Sequence, residues 1–309
     1  KNTEERVQLG TIRYVFAFIA IMVVSGSVMQ IAGAIGWKMT EIGFAVFAII
    51  IITLSCLLVK ELPEEEIEEE KIAEKETRDK EKKESVGLKD TFMLLIKNKF
   101  YLSILGIYIC FYTGTGLLGG LGAYYTQYSL GDVGLMAQFS VANNLPTILG
   151  LFFVPLIVKK FGIYRTNLTG MSLSILIGIP LIWAGLTGNI PVLVVCLGLR
   201  CMCSAPLMGT LGAVIAQIAA YVYKKDHVHI EGSMYSCSSM GIKLGGGIGS
   251  AACGWLLAIV GFDGTQQIQS AATNMGISIA YCVIPVVLFA IIALLCRGLN
   301  VEKAIQELD

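Results

Sequence analysis

Charged residues are scarce in this sequence, at 15% of 309 residues, whereas hydrophobic residues make up 55%. An ordinary soluble domain has about a quarter of its residues charged, so this composition excludes that class. It predicts an all-α protein that crosses a membrane several times. The net charge at pH 7 is zero and the charges lie outside the apolar stretches. The total charge therefore says nothing about acidic or nucleic-acid partners. The partner we expect is a lipid bilayer, and we expect no nucleic acid.

The residue groupings that enzymes and metal sites need are also missing. No nucleophile, base and orienting group can be assembled from these residues, so no enzyme is predicted. The nine cysteines fall mostly inside apolar stretches, where they behave as small apolar side chains. Cys201 and Cys203 form the one close pair, but they lack further Cys or His partners at metal-ligand spacing. We expect no metal, no cofactor and no disulfide framework.

The first residues, 1–13, are charged and contain neither the apolar core nor the cleavage site of a signal peptide. The chain also begins with Lys1 rather than methionine. We therefore expect a fragment that begins in a loop.

Eight apolar runs are each long enough to cross a bilayer as a helix. They cover residues 12–35, 40–59, 99–128, 135–158, 166–186, 191–223, 233–260 and 272–295. Between the second and third runs, residues 61–89 are nearly all charged, which is typical of a solvated, partly helical tether. We predict three parts: two helices in 1–60, a charged cytoplasmic linker in 61–98, and a six-helix bundle in 99–309.

Basic residues are segregated among the short loops, which indicates an orientation. If the linker is cytoplasmic, the loops on its side and the tail carry Lys159, Lys160, Arg165, Lys224, Lys225, Arg297 and Lys303. The opposite loops hold Lys38 as their only cation. The positive-inside rule then places both ends of the chain in the cytoplasm, as in a multi-pass protein of a bacterial plasma membrane.

Two cations interrupt the apolar runs. Lys243 lies about twelve residues into its run, or roughly 18 Å along a helix, which is near the bilayer midplane. An ammonium there costs about 2.5–3.5 kcal/mol unless it faces a cavity or a carboxylate; snorkelling to the headgroups is the alternative. Arg200, about nine residues into its run, could bind a substrate carboxylate such as a hexuronate. It could equally be a packing arginine that bonds helix carbonyls or snorkels, and the sequence leaves both open.

Polar and aromatic groups inside the runs are candidates for gripping a sugar. Tyr108 and Tyr112 share a helix face at i,i+4 and could stack on a sugar ring. Asn143 and Asn144 precede Pro146, and buried amides need hydrogen-bond partners, so they are candidates for hydroxyl contacts. Three tyrosines near the outer end of the third run fit an aromatic belt better: Tyr124, Tyr125 and Tyr128.

Several segments resemble one transporter family. Residues 231–249, EGSMYSCSSMGIKLGGGIG, are similar to the eleventh helix of the glycoside-pentoside-hexuronide:cation symporters, the melibiose permease family of the major facilitator superfamily. The matching positions are Glu231, Gly232, Tyr235, Ser236, Lys243 and Gly245. Residues 124–132 resemble the Y-Y-x-x-Y-x-x-G-D that ends helix seven of that family. Arg6 and Arg13 resemble its entry into helix five, and residues 158–165 resemble a degenerate basic loop between helices eight and nine.

The resemblance implies a partial major facilitator fold, in which the eight runs correspond to helices five to twelve and the first four are missing. It implies a monomeric secondary active transporter that moves a sugar, glycoside or hexuronide by alternating access. No Asp or Glu lies deep in the eight runs, and in the family those carboxylates belong to helices two and four. A co-transported Na⁺ or H⁺ would therefore bind mostly in the missing helices, and Lys243 matches the lysine beside that site. Tyr235 would contact substrate, and Arg13, Glu231 and Arg165 would serve the gate and cytoplasmic loops.

One stretch departs from the family. Residues 220–229 occupy the register of D-Y-x-E-x-K-T-G-x-R, and only Tyr221 and Lys225 match it. The sugar therefore stays open. A non-transporting membrane sensor or assembly protein on the same scaffold is the alternative function.

Overall fold

The computed structural model describes residues 3–58, 95–226 and 231–307, and these form helices joined by short turns. In chain order the helices are α1 Thr3–Ile35, α2 Trp37–Leu58, α3 Lys99–Tyr124, α4 Leu135–Phe161, α5 Ile163–Thr187, α6 Ile190–Asp226, α7 Glu231–Ile259, α8 Ala271–Arg297 and α9 Val301–Gln306. Within the described ranges, eight of them are long and apolar enough to span a membrane. Every predicted run therefore appears as a helix.

Local sequence explains where these helices begin and end. The Asn98 side chain caps α3 by accepting from the Phe100 N–H at 2.9 Å, and Ser270 caps α8 by accepting from the Thr273 N–H at 3.1 Å. Gly162 and Gly188, with positive φ angles of 78° and 70°, provide the turns on either side of α5, and a positive φ favours glycine. Because the chain turns within one residue at Gly162, α5 begins at Ile163, three residues before the predicted run.

The six helices α3 to α8 pack around a common interior. Helix α3 packs most extensively on α7, α8 packs on α3 and α5, and α6 lies between α4 and α5. Helix α1 packs on α4, and α2 packs on α1 with most of its side chains exposed. Successive helices alternate in direction, so one side of the bundle carries the ends that flank the linker. We call this the linker side, and the opposite side the far side.

Glycines allow α3 and α7 to pack with their backbones close together. A Cβ atom added at Gly245 would lie 2.6 Å from the Ile109 carbonyl oxygen, and one at Gly116 would lie 2.9 Å from the Gly246 carbonyl oxygen. Small residues at such an interface replace side-chain packing with direct backbone contact.

The loop between α7 and α8 is ordered by Asp263. Its carboxylate accepts from the Thr265 hydroxyl at 2.7 Å, from the Thr265 N–H at 3.0 Å and from Gln266 at 3.0 Å. These hydrogen bonds, chiefly the one from the Thr265 side chain, lower the pKa of Asp263.

The short helix α9 closes the linker side of α5. Glu302 accepts from the Ile163 N–H at 3.2 Å and from the Gln217 amide at 3.4 Å. It thereby places a carboxylate at the N-terminus of α5, which has no side-chain cap of its own. Arg165, predicted to serve the cytoplasmic loop, lies exposed in the first turn of the same helix.

Replacing Glu302 with alanine is expected to lower the free energy of unfolding by about 1 kcal/mol, because α5 loses its acceptor. Thermal unfolding in detergent measures this. Glu307→Ala is the control, since the carboxylate of Glu307 is 67% exposed and pairs only with the exposed Lys303 at 3.6 Å among the described residues. Equal melting temperatures for the two variants would contradict the capping role.

Some predictions fall on residues that the structure does not describe. The charged linker, most of residues 61–98, and the loop residues His227 and His229 lie outside the described ranges. The division into three parts therefore stays a prediction.

Candidate functional site

A cavity of about 540 Å³ lies between α1, α3, α4, α6 and α7. This volume is within the range of small-molecule sites. One wall comes from α3 and α7 and consists of Tyr108, Tyr112, Tyr235, Ser238 and Ile242; we call it the tyrosine wall. The facing wall comes from α1, α4 and α6 and consists of Phe18, Ile148, Leu151, Phe152, Val154, Pro155, Met208, Gly209, Leu211, Gly212 and Ile215; we call it the apolar wall.

Three of the residues predicted to bind substrate meet in the tyrosine wall. The rings of Tyr108 and Tyr112 are parallel within 2°, with centroids 6.2 Å apart. Tyr235 joins them from α7 with 47% of its surface exposed. Gly241 makes room for this arrangement, because a Cβ atom there would overlap the Cβ atom of Tyr108. Parallel aromatic faces beside a hydroxyl, that of Ser238, are suited to a sugar ring.

Lys243 lies next to this cavity without lining it. It follows the cavity residue Ile242 and is exposed. Gly241 and Gly245 face α3, and at 100° per residue Lys243 lies roughly 160–200° around the helix from them. Its ammonium forms no salt bridge with any described residue. The helix thus presents this cation on the face turned away from α3, halfway along the membrane-spanning segment.

Arg200 lies inside the bundle instead of at the cavity. Its side chain is 2% exposed, and its guanidinium carbon stands 5.5 Å from the centroid of the Phe289 ring on α8. Its Nε and Nη1 atoms have no hydrogen-bond partner among the described residues. The side chain thus does not snorkel, and these two atoms bond no helix carbonyl among the described residues; the cation–π contact stabilises it here. Its contact with a substrate carboxylate stays a prediction.

Both asparagines before Pro146 bond within the protein. Asn143 donates to the Phe139 carbonyl at 2.8 Å and accepts from the Cys201 thiol at 3.2 Å. Asn144 donates to the Ser140 carbonyl at 2.8 Å. Neither residue lines the cavity, an arrangement that does not favour contact with sugar hydroxyls. That contact stays a prediction.

The aromatic-belt interpretation is wrong for Tyr125. This residue is fully buried, its hydroxyl donates to the Gly185 carbonyl at 2.8 Å, and its ring stacks on Tyr281 with centroids 4.5 Å apart. Residues Tyr125–Ser129 form a π-helical turn, which changes the directions in which the side chains after α3 point. Tyr124 and Tyr128 stay near the far side, where each contacts the ring of Phe262 edge-on.

Two gate residues, Arg13 and Glu231, belong to described helices, but their side chains lie outside the described part of the structure. Their roles stay predictions.

The sequence did not point to the apolar wall. Its residues belong to runs that are apolar all round, so hydrophobicity alone does not separate a cavity-facing Ile148 from a lipid-facing neighbour. The contact between α1 and α4 was also missed. There the Ser25 and Ser140 hydroxyls lie 2.6 Å apart, and a hydroxyl repeated in two apolar runs is the signal that could have suggested it.

Membrane-spanning helices around a cavity of this size define a polytopic helical membrane protein of the transporter class. The chain belongs to the family described as MFS/sugar transport protein, which matches residues 1–303. The predicted resemblance and the major facilitator type of fold are thereby confirmed. The family consists of transport proteins, which agrees with the prediction that this chain is not an enzyme.

Curated relatives agree with this assignment. The chain is 25% identical over 312 residues to the isoprimeverose transporter of Lactiplantibacillus pentosus, covering 98% of this chain and 62% of that protein. It is 24% identical to an uncharacterized symporter, YjmB, of Bacillus subtilis, covering 94% of this chain and 61% of the relative. It is 25% identical to a putative glycoside/cation symporter, YagG, of Escherichia coli, covering 56% and 37%. The chain spans less than two thirds of the length of these relatives.

Proposed function

We propose that this protein is a secondary active transporter that moves a sugar, glycoside or hexuronide across a bacterial plasma membrane together with Na⁺ or H⁺. The tyrosine wall of the cavity carries the proposal, because stacked aromatic faces bind sugar rings and the wall lies in a helix bundle of a sugar-transport family. The names of the relatives, a transporter and two symporters, support it.

The cavity lies toward the linker side of the bundle. On α4 its residues are 148–155, near the end of the helix at Phe161, and on α7 they are 235–242, near its start at Glu231. With the linker in the cytoplasm, as the loop charges predict, this conformation opens inward.

On the far side, α1 meets α4. The Ser25 and Ser140 hydroxyls lie 2.6 Å apart, and a Cβ atom at Gly26 would lie 3.6 Å from the Ala137 Cα atom. In this proposal, alternating access parts this contact to admit substrate from outside, while the linker-side ends of the helices close.

Coupling is assigned to Lys243. An exposed ammonium at mid-depth in a membrane-spanning helix needs a cavity or a counter-charge. In the proposal it balances the carboxylates that hold Na⁺ or H⁺, and it stands beside the substrate cavity through Ile242. The protein acts as a monomer, and Arg13, Glu231 and Arg165 control the cytoplasmic side.

The test is uptake of radiolabelled glycosides and glucuronides by proteoliposomes that contain the protein expressed from its complete gene, under an imposed Na⁺ or H⁺ gradient. Tyr235→Ala is expected to raise KM for the transported sugar about fivefold, since one aromatic stacking contact is worth roughly 1 kcal/mol. Tyr235→Phe keeps the ring and should stay close to the wild type.

Trp255→Ala is the matched control, because Trp255 is an exposed aromatic residue of the same helix that does not line the cavity. An equal rise in KM in Trp255→Ala would contradict the stacking role of Tyr235. If no sugar of the panel is taken up under either gradient, the transport proposal fails and the sensor or assembly alternative replaces it.

A further inference from the structure

The two walls of the cavity differ sharply in chemistry. Four lining side chains carry an oxygen atom, and all four lie on the tyrosine wall: Tyr108, Tyr112, Tyr235 and Ser238. The Ser238 hydroxyl donates to the Tyr235 carbonyl of its own helix at 2.7 Å, so it offers a ligand an acceptor and no donor. The apolar wall contributes only aliphatic, aromatic, sulfur-containing and glycine residues from the described part of the chain. A molecule that fills this space therefore meets hydrogen-bonding groups on one side and hydrocarbon on the other.

Hydroxyls close to the apolar wall are turned elsewhere. The Thr210 hydroxyl of α6 donates to the Asn167 side chain at 3.0 Å and accepts from it at 2.8 Å, both toward α5. The Thr147 hydroxyl of α4 donates to the Asn143 carbonyl of its own helix at 2.6 Å. Pro155 has no N–H, so the Leu151 carbonyl lacks its helical donor and is available as a hydrogen-bond acceptor. This single acceptor is too few for the several hydroxyls of a second sugar ring.

A second sugar ring would be poorly accommodated against this wall. A buried hydroxyl without a partner costs free energy, whereas each CH₂ group moved from water onto an apolar surface improves affinity about fourfold. The cavity therefore matches an amphipathic molecule, with hydroxyls at one end and hydrocarbon at the other.

We propose that the transported molecule is a glycoside with an apolar aglycone, whose sugar ring lies on the tyrosine wall and whose alkyl or aryl group lies on the apolar wall. This rests on the proposed transport function and specifies its substrate class. The sugar ring supplies orientation, and the aglycone supplies most of the affinity.

Gly212 provides a way to test the aglycone position. It lines the apolar wall, and a Cβ atom added there would meet no atom within 4 Å. The Cβ atom of a leucine at this position would therefore displace no neighbour, and we expect the rest of the side chain to occupy cavity space. Gly247 on α7 is the matched control, because its Cβ atom would also meet nothing within 4 Å and it does not line the cavity.

The experiment measures inhibition constants for methyl, butyl and phenyl glycosides of glucose and xylose against uptake by the protein expressed from its complete gene. The labelled compound is whichever glycoside of the uptake panel is transported. The butyl and phenyl compounds are expected to bind at least tenfold more tightly than the methyl compound of the same sugar. Gly212→Leu should remove most of that advantage and leave methyl glycosides within twofold, and Gly247→Leu should change neither.

Two results would overturn the inference while leaving transport intact: equal binding of methyl and butyl glycosides, or equal loss for both in Gly212→Leu. If butanol or phenol alone competes as well as the corresponding glycoside, the cavity is a general apolar site and the inference is also wrong. If sugars of every kind fail to be taken up, the transport proposal itself fails, so the two failures are distinguishable.

Discussion

Lys243→Ala is expected to reduce gradient-driven accumulation of substrate by about a hundredfold. A charge interaction at short range near a protein surface is worth roughly 3 kcal/mol, which corresponds to that factor. Lys243 is exposed on the outward face of α7, and in the described residues it has no salt bridge. We therefore expect its charge to act on the coupling site and to contribute little to the packing of this bundle. Uptake into proteoliposomes with and without an ion gradient measures the effect.

Lys243→Arg keeps the charge and should retain a substantial part of the accumulation. Lys38→Ala is the control, since Lys38 is an exposed lysine at the start of α2 on the far side. Melting temperatures of all three variants should stay close to that of the wild type, which separates coupling from folding. Normal accumulation by Lys243→Ala would show that the lysine snorkels to the headgroups and has no part in coupling.

The membrane spans were predictable from sequence because length and composition alone decide them. A run of about 20 apolar residues must be helical in a bilayer, since each backbone group needs an internal partner. The helix ends moved by a few residues where capping chemistry decided them, as at Gly162 and Ser270.

Which face of each helix points inward was not predictable. Lipid and protein interior are both apolar, so Leu121, fully buried, and Leu156, 67% exposed and outside the cavity lining, carry the same hydrophobic signal. The misplaced Tyr125 shows the same difficulty, since a π-helical turn rotates the residues that follow α3.

The tyrosines at 108, 112 and 235 were found because i,i+4 spacing and a family motif both identify positions without needing the facing helix. Arg200 shows the limit of such reasoning. Its depth in the run was clear from sequence, but its direction toward Phe289 depends on how α6 and α8 pack.

Gly245→Ala is expected to lower the free energy of unfolding by about 2–3 kcal/mol, because overpacking of a closely packed interface forces the backbone to move. The new Cβ atom would lie 2.6 Å from the Ile109 carbonyl oxygen and 3.1 Å from the Thr113 nitrogen, and neither backbone atom can rotate away. Thermal unfolding monitored with a thiol-reactive dye measures the loss, since Cys237 and Cys253 on α7 are free and buried in the folded state.

Gly246→Ala is a sharp control, one residue along the same helix. Its Cβ atom would meet nothing within 4 Å, and alanine favours a helix over glycine by up to about 1 kcal/mol. This variant should therefore melt at or above the wild-type temperature. The two changes are chemically identical, so a difference between them reports the α3–α7 contact alone. Tyr235 and Lys243 both project from α7, so the Gly245→Ala variant, in which this helix is displaced, should also show reduced uptake. Equal melting temperatures for the two variants would mean that α3 and α7 do not touch through their backbones.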